Sequence, residues 1–195
     1  MAQRVGVVLA GGRGLRLGRT KGDLTLDGQP LARRAAAALF PHCGSVLISI
    51  AQGEVNPAPE WPAVEDLPPP GRGPLAGIAA AFTATADADL LVLACDYPGV
   101  SPELMGAIAA APLDVDDLVI PTDTAGRDHP LVAAWSRRMQ PLVQNALDDG
   151  RFRVHGLFPD CRLRRLRPET LPVTDVRTAL HNVNFPTDLE GYGQG

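Results

Sequence analysis

The chain has 195 residues, of which 45% are hydrophobic and 21% charged, and its formal net charge is −4. That length supports one sizeable core, so we expect a single domain over residues 1–195. No global basic field recruits nucleic acid, and aromatics at 5% supply too few platforms for stacking single strands. Any positive charge that matters is therefore local.

Cys43, Cys95 and Cys161 are widely spaced, with no CxxC and no His at ligand spacing. That pattern argues against a disulfide framework or a zinc knuckle and predicts buried free thiols. Val5 to Ala10 is too short for a signal segment or a membrane span. The expectation is a reducing, cytoplasmic setting without a membrane.

Taken in order, Val5 to Ala10 is a β-branched run that ends in glycines and predicts a buried first strand. Leu31 to Phe40 reads as a helix stopped by Pro41, and Ser45 to Ala51 as a second strand. Asn56 to Pro74 holds seven prolines and cannot be regular structure throughout. It reads either as a linker or as a surface loop over one shared core. The loop is preferred, because two strands before it make a marginal domain. Ala63 to Asp66 fits a short strand inside it.

Pro74 to Ala86 predicts a helix with proline at its start, where the missing N–H costs nothing. Leu90 to Cys95 is an unbroken apolar strand of the kind buried on both faces of a parallel sheet. Ser101 caps a further helix, with Glu103 in its first turn. Leu118 to Pro121 and Pro130 to Trp135 read as strands, and Met139 to Asp149 as a helix closed by Gly150. Arg162 to Arg167 alternates Leu and Arg like an edge strand with one wet face. Asp114, Asp116 and Asp117 read as a solvated turn, and His129 as structural. Strands alternating with helices predict an α/β fold, a three-layer sandwich around a mostly parallel sheet. Ligands then belong beyond the carboxyl ends of the strands, after Ala10, Ala51 and Cys95.

Three stretches there carry chemistry. Gly11, Gly12, Gly14 and Gly18 are interleaved with Arg13, Arg16 and Arg19 and followed by Lys21. Bare backbone and cations together suit a polyphosphate. Leu17 breaks the GxGxxG spacing, and Gly18-Arg19-Thr20-Lys21 is not a Walker A ending. Asp96 follows the buried strand, well placed to ligate Mg²⁺ facing that loop. Gly71 to Gly77 starts a helix from glycines, with Asp66 just upstream. Asn182 and Asn184 stand near the end, one residue apart.

In this order the motifs resemble the molybdenum cofactor guanylyltransferases, single-domain nucleotidyltransferases with a Rossmann-like fold. The resemblance rests on Leu9-Ala10-Gly11-Gly12 with Arg16-Leu17-Gly18 and Lys21, and on Leu26, Gly28, Pro30 and Leu31. It continues through Gly73 to Ile78, Cys95-Asp96 with Pro98, His129-Pro130-Leu131, and Asn182 with Asn184, Pro186, Asp188 and Leu189. It implies transfer of GMP from GTP to molybdenum-molybdopterin, with pyrophosphate released. Leu9, Ala10 and Gly11 would line the nucleotide, with Gly12, Arg13 and Gly77 beside them. Lys21 would bind phosphates, Asp66 hold the nucleoside and Asp96 ligate Mg²⁺, with Arg16 and Asn184 as further catalytic contacts. Handing on a labile cofactor implies docking to molybdenum insertion proteins or molybdoenzyme apoproteins, which no motif marks.

The chain departs from that pattern at Thr20, where an acid is usual, at Asp23, where an apolar residue is usual, and at the end of the second strand. There the usual Asn is replaced by Ser49 or Ala51. The rival readings are a sister enzyme using CTP or another nucleotide with a pterin, sugar-phosphate or phospholactate acceptor, and a nucleotide-binding protein without turnover.

Overall fold

The computed structural model describes residues 4–11, 21–85, 87–183, 186–189 and 192, with Lys21, Pro186 and Thr187 by backbone alone. Among the described residues nine strands form: β1 (Arg4–Leu9), β2 (Thr25–Leu26), β3 (Gln29–Pro30), β4 (Ser45–Ile50), β5 (Ala63–Glu65), β6 (Asp89–Ala94), β7 (Leu118–Pro121), β8 (Val132–Trp135) and β9 (Leu163–Leu166). The helices are α1 (Leu31–Leu39), α2 (Pro74–Ala84), α3 (Pro102–Ala110), α4 (Gln140–Asp148) and the short α5 (Val176–Ala179).

Seven strands make one sheet in the order β5-β4-β1-β6-β8-β7-β9, while β2 and β3 pair apart from it. β1 lies centrally and pairs in parallel with β4 on one side and β6 on the other. Five consecutive buried residues in β1 and six in β6 follow from that position, since both faces are covered. On one face Val8, Leu91 and Leu93 meet Leu31, Leu39, Leu104, Met105 and Ile108 of α1 and α3. On the other, Val7, Leu90 and Val92 meet Leu75, Ile78, Phe82, Val143 and Leu147 of α2 and α4. Each such side chain removed from water contributes about 1.5–3 kcal/mol before entropy is subtracted. The result is the three-layer sandwich.

β8 is the exception, antiparallel to both β6 and β7. The connection from β7 is too short for a crossover helix. It turns instead at Gly126, whose φ is +77°, and Asp123 Oδ1 accepts from the amides of Ala125 and Arg127 at 2.9 Å each.

The proline-rich stretch is woven into the sheet edge. β5 pairs in parallel with β4, and Ala58 is fully buried in the core. Asn56 ties it locally, donating to the Trp61 carbonyl at 2.8 Å and accepting from the Ala58 amide at 2.9 Å. Ser101 caps α3 as expected, accepting from the Leu104 amide at 3.3 Å. Gly150, at φ +74°, follows the end of α4. The turn of helix over Val154–Asp160 and α5 have no counterpart among the predicted elements.

The aspartates before β7 require a correction. Asp117 is not a loose turn residue. It accepts from Arg138 Nε at 2.9 Å and from the Arg162 amide, Nε and Nη2 at 3.0, 3.0 and 2.9 Å. Arg164 pairs with Asp116, and Arg165 grips both carboxylate oxygens of Asp128. The arginines of β9 do form a wet face, as predicted, but one bound to its neighbours.

Candidate functional site

The carboxyl ends of β1, β4, β5 and β6 point to one corner, and the N-terminus of α2 closes over it. α2 begins at Pro74 after Gly73, whose φ of +67° lets the chain turn sharply into the helix. Leu75 to Phe82 are all buried, so the helix lies flush on the sheet. Arg72 anchors the approach, donating to the Leu147 carbonyl at 2.6 Å and the Pro68 carbonyl at 3.2 Å. Its guanidinium also lies 5.7 Å from the Phe152 ring centroid.

Beneath that first turn is a cavity of about 220 Å³ lined by Leu9, Gly11, Ser49, Asp66, Gly77 and Asp96, among others. It adjoins a chamber of about 440 Å³ walled by Ala51, Gln52, Pro70 and Arg72 and sharing Gly11, Asp66 and Gly73. Together they form a groove across the carboxyl end of the sheet. A larger hollow of about 950 Å³ lies at the opposite, amino end. Its arginines are already engaged, Arg4 with the Ala109 carbonyl, Arg137 with Asp87 and Arg138 with Asp117. We therefore place the functional site at the carboxyl end.

Two glycines there are dictated by close approach. A Cβ on Gly77 would stand 2.2 Å from Ser49 Oγ and 2.9 Å from Asp66 Oδ1. On Gly11 it would meet the Ala51 amide nitrogen at 2.9 Å and Asp66 Oδ2 at 3.2 Å. Between them, Ser49 Oγ donates to Asp66 Oδ1 at 2.7 Å. Burial raises the Asp66 carboxyl above its ordinary range, the Ser49 hydroxyl counteracts, and the charge of Glu54 adds to the rise.

The loop after β1 is held differently from the sequence expectation. The amides of Ala10 and Gly11 both donate to the Ser49 carbonyl at 2.9 Å. Those two donors are thus engaged within the fold rather than free for a ligand. Ala10 itself is packed in the core. Lys21 opens a short helical turn, and Gly22 sits so near β1 that an added Cβ would be 3.2 Å from Ala10 Cβ. Gly12, Arg13, Arg16 and Asn184 lie outside the described residues, as does the Lys21 side chain.

Asp96 follows β6 at the cavity wall, and its carbonyl accepts from the Val183 amide at 2.8 Å. That bond brings Val183 back to the residue that follows β6. Tyr97, next in sequence, is kept protonated by burial and by the charge of Asp96. Its ring meets His129 edge-on at 5.8 Å, and His129 Nε2 faces Asp123 Oδ2 at 3.2 Å. Burial lowers the His129 pKa despite Asp123, in keeping with a structural, neutral imidazole. Leu131, two residues on, accepts from the Ala94 amide and lines the cavity.

The structure thus unites Leu9, Gly11, Asp66, Gly77 and Asp96 and adds Ser49. The signal for Ser49 was its position at the end of β4, shared there with Ala51. Among the described residues no three His, Cys, Asp or Glu side chains cluster as a metal cage. Among the described residues no helix is long and apolar enough to cross a membrane.

Residues 6–158 match the model of the MobA-like NTP transferase domain family. The chain is 33% identical over 190 residues to a probable molybdenum cofactor guanylyltransferase of Pelotomaculum thermopropionicum, covering 97% of this chain and 91% of that protein. It is 31% identical over 181 residues to one of Mycobacterium tuberculosis, covering 89% of each. Among solved structures it is similar in fold to the molybdopterin-guanine dinucleotide biosynthesis protein A of Archaeoglobus fulgidus. That TM-score is 0.78, at 24% identity over 96% of this chain and 95% of that one. The 2-C-methyl-D-erythritol 4-phosphate cytidylyltransferase of Thermus thermophilus has a TM-score of 0.68 at 18% identity over 96% of each chain.

Proposed function

The chain belongs to the MobA-like NTP transferase family, and on that premise we propose that it transfers GMP from GTP to molybdenum-molybdopterin, releasing pyrophosphate. The observation that carries this reading is the pair of carboxylates, Asp66 and Asp96, lining one glycine-walled cavity at the carboxyl end of the sheet. One suits the donors of a nucleoside, the other a divalent ion.

Chemically, a terminal phosphate oxygen of the pterin attacks the α-phosphorus of GTP, and pyrophosphate leaves in line. No covalent enzyme intermediate is required, so the residues act by alignment and charge neutralisation. Gly11 and Gly77 leave room for Asp66 and Ser49 at the cavity wall, where Asp66 offers an acceptor to the nucleoside. Lys21, with Arg13 and Arg16, offsets charge growing on pyrophosphate. Asn184, next in sequence after Val183, would supply a second contact to a bound metal.

The donor set fits Mg²⁺, because Asp96 presents hard oxygen and substrate phosphates complete such a shell. When bound, Mg²⁺ neutralises phosphate oxygens. We place the enzyme in the cytoplasm as a single domain, and its three cysteines, free thiols in the structure, support that compartment. Molybdenum insertion proteins or molybdoenzyme apoproteins are the proposed recipients of the product.

The test is pyrophosphate release with Mg²⁺ and each of GTP, CTP, UTP and ATP, with and without molybdenum-loaded molybdopterin. Release only with GTP and the pterin is expected. Release with another nucleotide or acceptor moves the chain to a sister activity, and binding without release supports a non-catalytic role. Asp96→Ala is expected to lower kcat about 10³-fold or more while the far-ultraviolet spectrum stays native. Near-normal turnover would remove Asp96 from the chemistry. Lys21→Ala is expected to cost roughly 10²-fold, and an unchanged rate would place Lys21 outside the site.

A further inference from the structure

Asp66 is half-buried, yet among the described side chains the one hydroxyl bonded to it is Ser49, itself 1% exposed. Ser49 Oγ occupies the space directly beneath Gly77, at 2.2 Å from where a Cβ would stand. The hydroxyl therefore lies between α2 and the carboxylate, at the wall of the cavity. Its hold on Oδ1 leaves Oδ2 directed over the bare face of Gly11, where an added Cβ would be 3.2 Å away. β4 supplies the hydroxyl, the end of β5 the carboxylate, and α2 the glycine that admits both.

We propose that Ser49 is a positioning residue that locks Asp66 by Oδ1 so that Oδ2 is presented to the nucleotide. The inference deepens the guanylyltransferase reading and rests on it for the identity of the ligand. Ala51, the other candidate for the missing Asn, lines the adjoining chamber and carries no hydrogen-bonding side chain. Of the groups around Asp66, Glu54 acts on its charge, Asp96 shares its cavity and Arg72 lies in the adjoining chamber. None of these is the hydrogen-bond donor that fixes Oδ1.

A double-mutant cycle tests the coupling. Calorimetric Kd values for GTP are measured for wild type, Ser49→Ala, Asp66→Ala and the double variant, together with KM and kcat. Ser49→Ala is expected to weaken GTP about five- to tenfold, in KM rather than kcat, but to change affinity less than twofold when Asp66 is absent. Equal losses in both backgrounds, or none in either, overturn the proposal. A readout without nucleotide keeps the two readings apart, namely NMR titration of the Asp66 carboxyl. Its midpoint should rise in Ser49→Ala, because a donor to the ionised form is removed. An unmoved midpoint overturns the Ser49 role whatever the nucleotide is. A risen midpoint in a protein that binds CTP and not GTP sinks only the guanylyl assignment.

Discussion

Two groups of aspartates in this molecule live in opposite surroundings. At the far edge of the sheet, Asp117 is surrounded by guanidinium and amide donors from Arg162 and Arg138, which hold its carboxyl well below the usual range. At the carboxyl end, Asp66 has one hydroxyl, a neighbouring acid and a cavity, and burial pushes it up. The first arrangement neutralises charge and ties together the starts of β7 and β9 and the turn that precedes α4. The second leaves a carboxylate oxygen facing space that a ligand can fill. A saturated acid belongs to the fold; an acid with capacity to spare belongs to a site.

Breaking the contrast from the site side has the larger expected effect. Gly77→Ala inserts a methyl 2.2 Å from Ser49 Oγ, so α2 or the Ser49–Asp66 pair must move. We expect about 1–3 kcal/mol of destabilisation and weakened GTP binding, measured by denaturant unfolding and calorimetry. Unchanged stability and affinity would show that the close approach of α2 is unimportant.

Next comes Asp117→Ala, expected to cost about 1–2 kcal/mol at pH 6 and to leave turnover intact. The pH dependence has a definite sign. A carboxylate depressed in the folded state contributes stability above its unfolded pKa, near 3.9, and loses it as pH falls through the folded value. The difference between wild type and variant should therefore shrink as unfolding is repeated at lower pH. A constant difference would mean that packing, not charge, is what Asp117 supplies.

The smallest effect sharpens the picture. Glu54→Gln removes the acid that adds to the rise at Asp66, so Asp66 should ionise at lower pH. The acid limb of kcat/KM for GTP moves down accordingly, opposite in direction to Ser49→Ala. An acid limb that ignores both changes would show that Asp66 does not govern nucleotide affinity.

How much of this was legible beforehand depends on the range of the signal. Val5–Ala10, Leu90–Cys95 and the Leu31 helix were readable because hydrophobic runs and proline stops act locally. β9 was readable because Leu and Arg alternate with the period of a strand. The Asp117 network was missed because its partners lie 21 and 45 residues away, and nothing in a run of aspartates says which arginine will reach it. β8 was recognised as a strand but not as antiparallel.

The sequence alone was enough to decide that the chain alternates strands and helices, that glycines and cations follow the first strand, and that Asp96 ends a buried one. These are properties of neighbours along the chain, set by periodicity and by residue type. Only the tertiary structure decided that Ser49 rather than Ala51 meets Asp66, that Gly77 is small because a hydroxyl lies beneath it, and that the Ala10 and Gly11 amides are taken by the Ser49 carbonyl. Each of these joins β1, β4, β5 or α2 across gaps of many residues, and such contacts exist only once the layers have packed. Close packing, which fills space to within fractions of an ångström, selects the partner among candidates that local chemistry leaves equal.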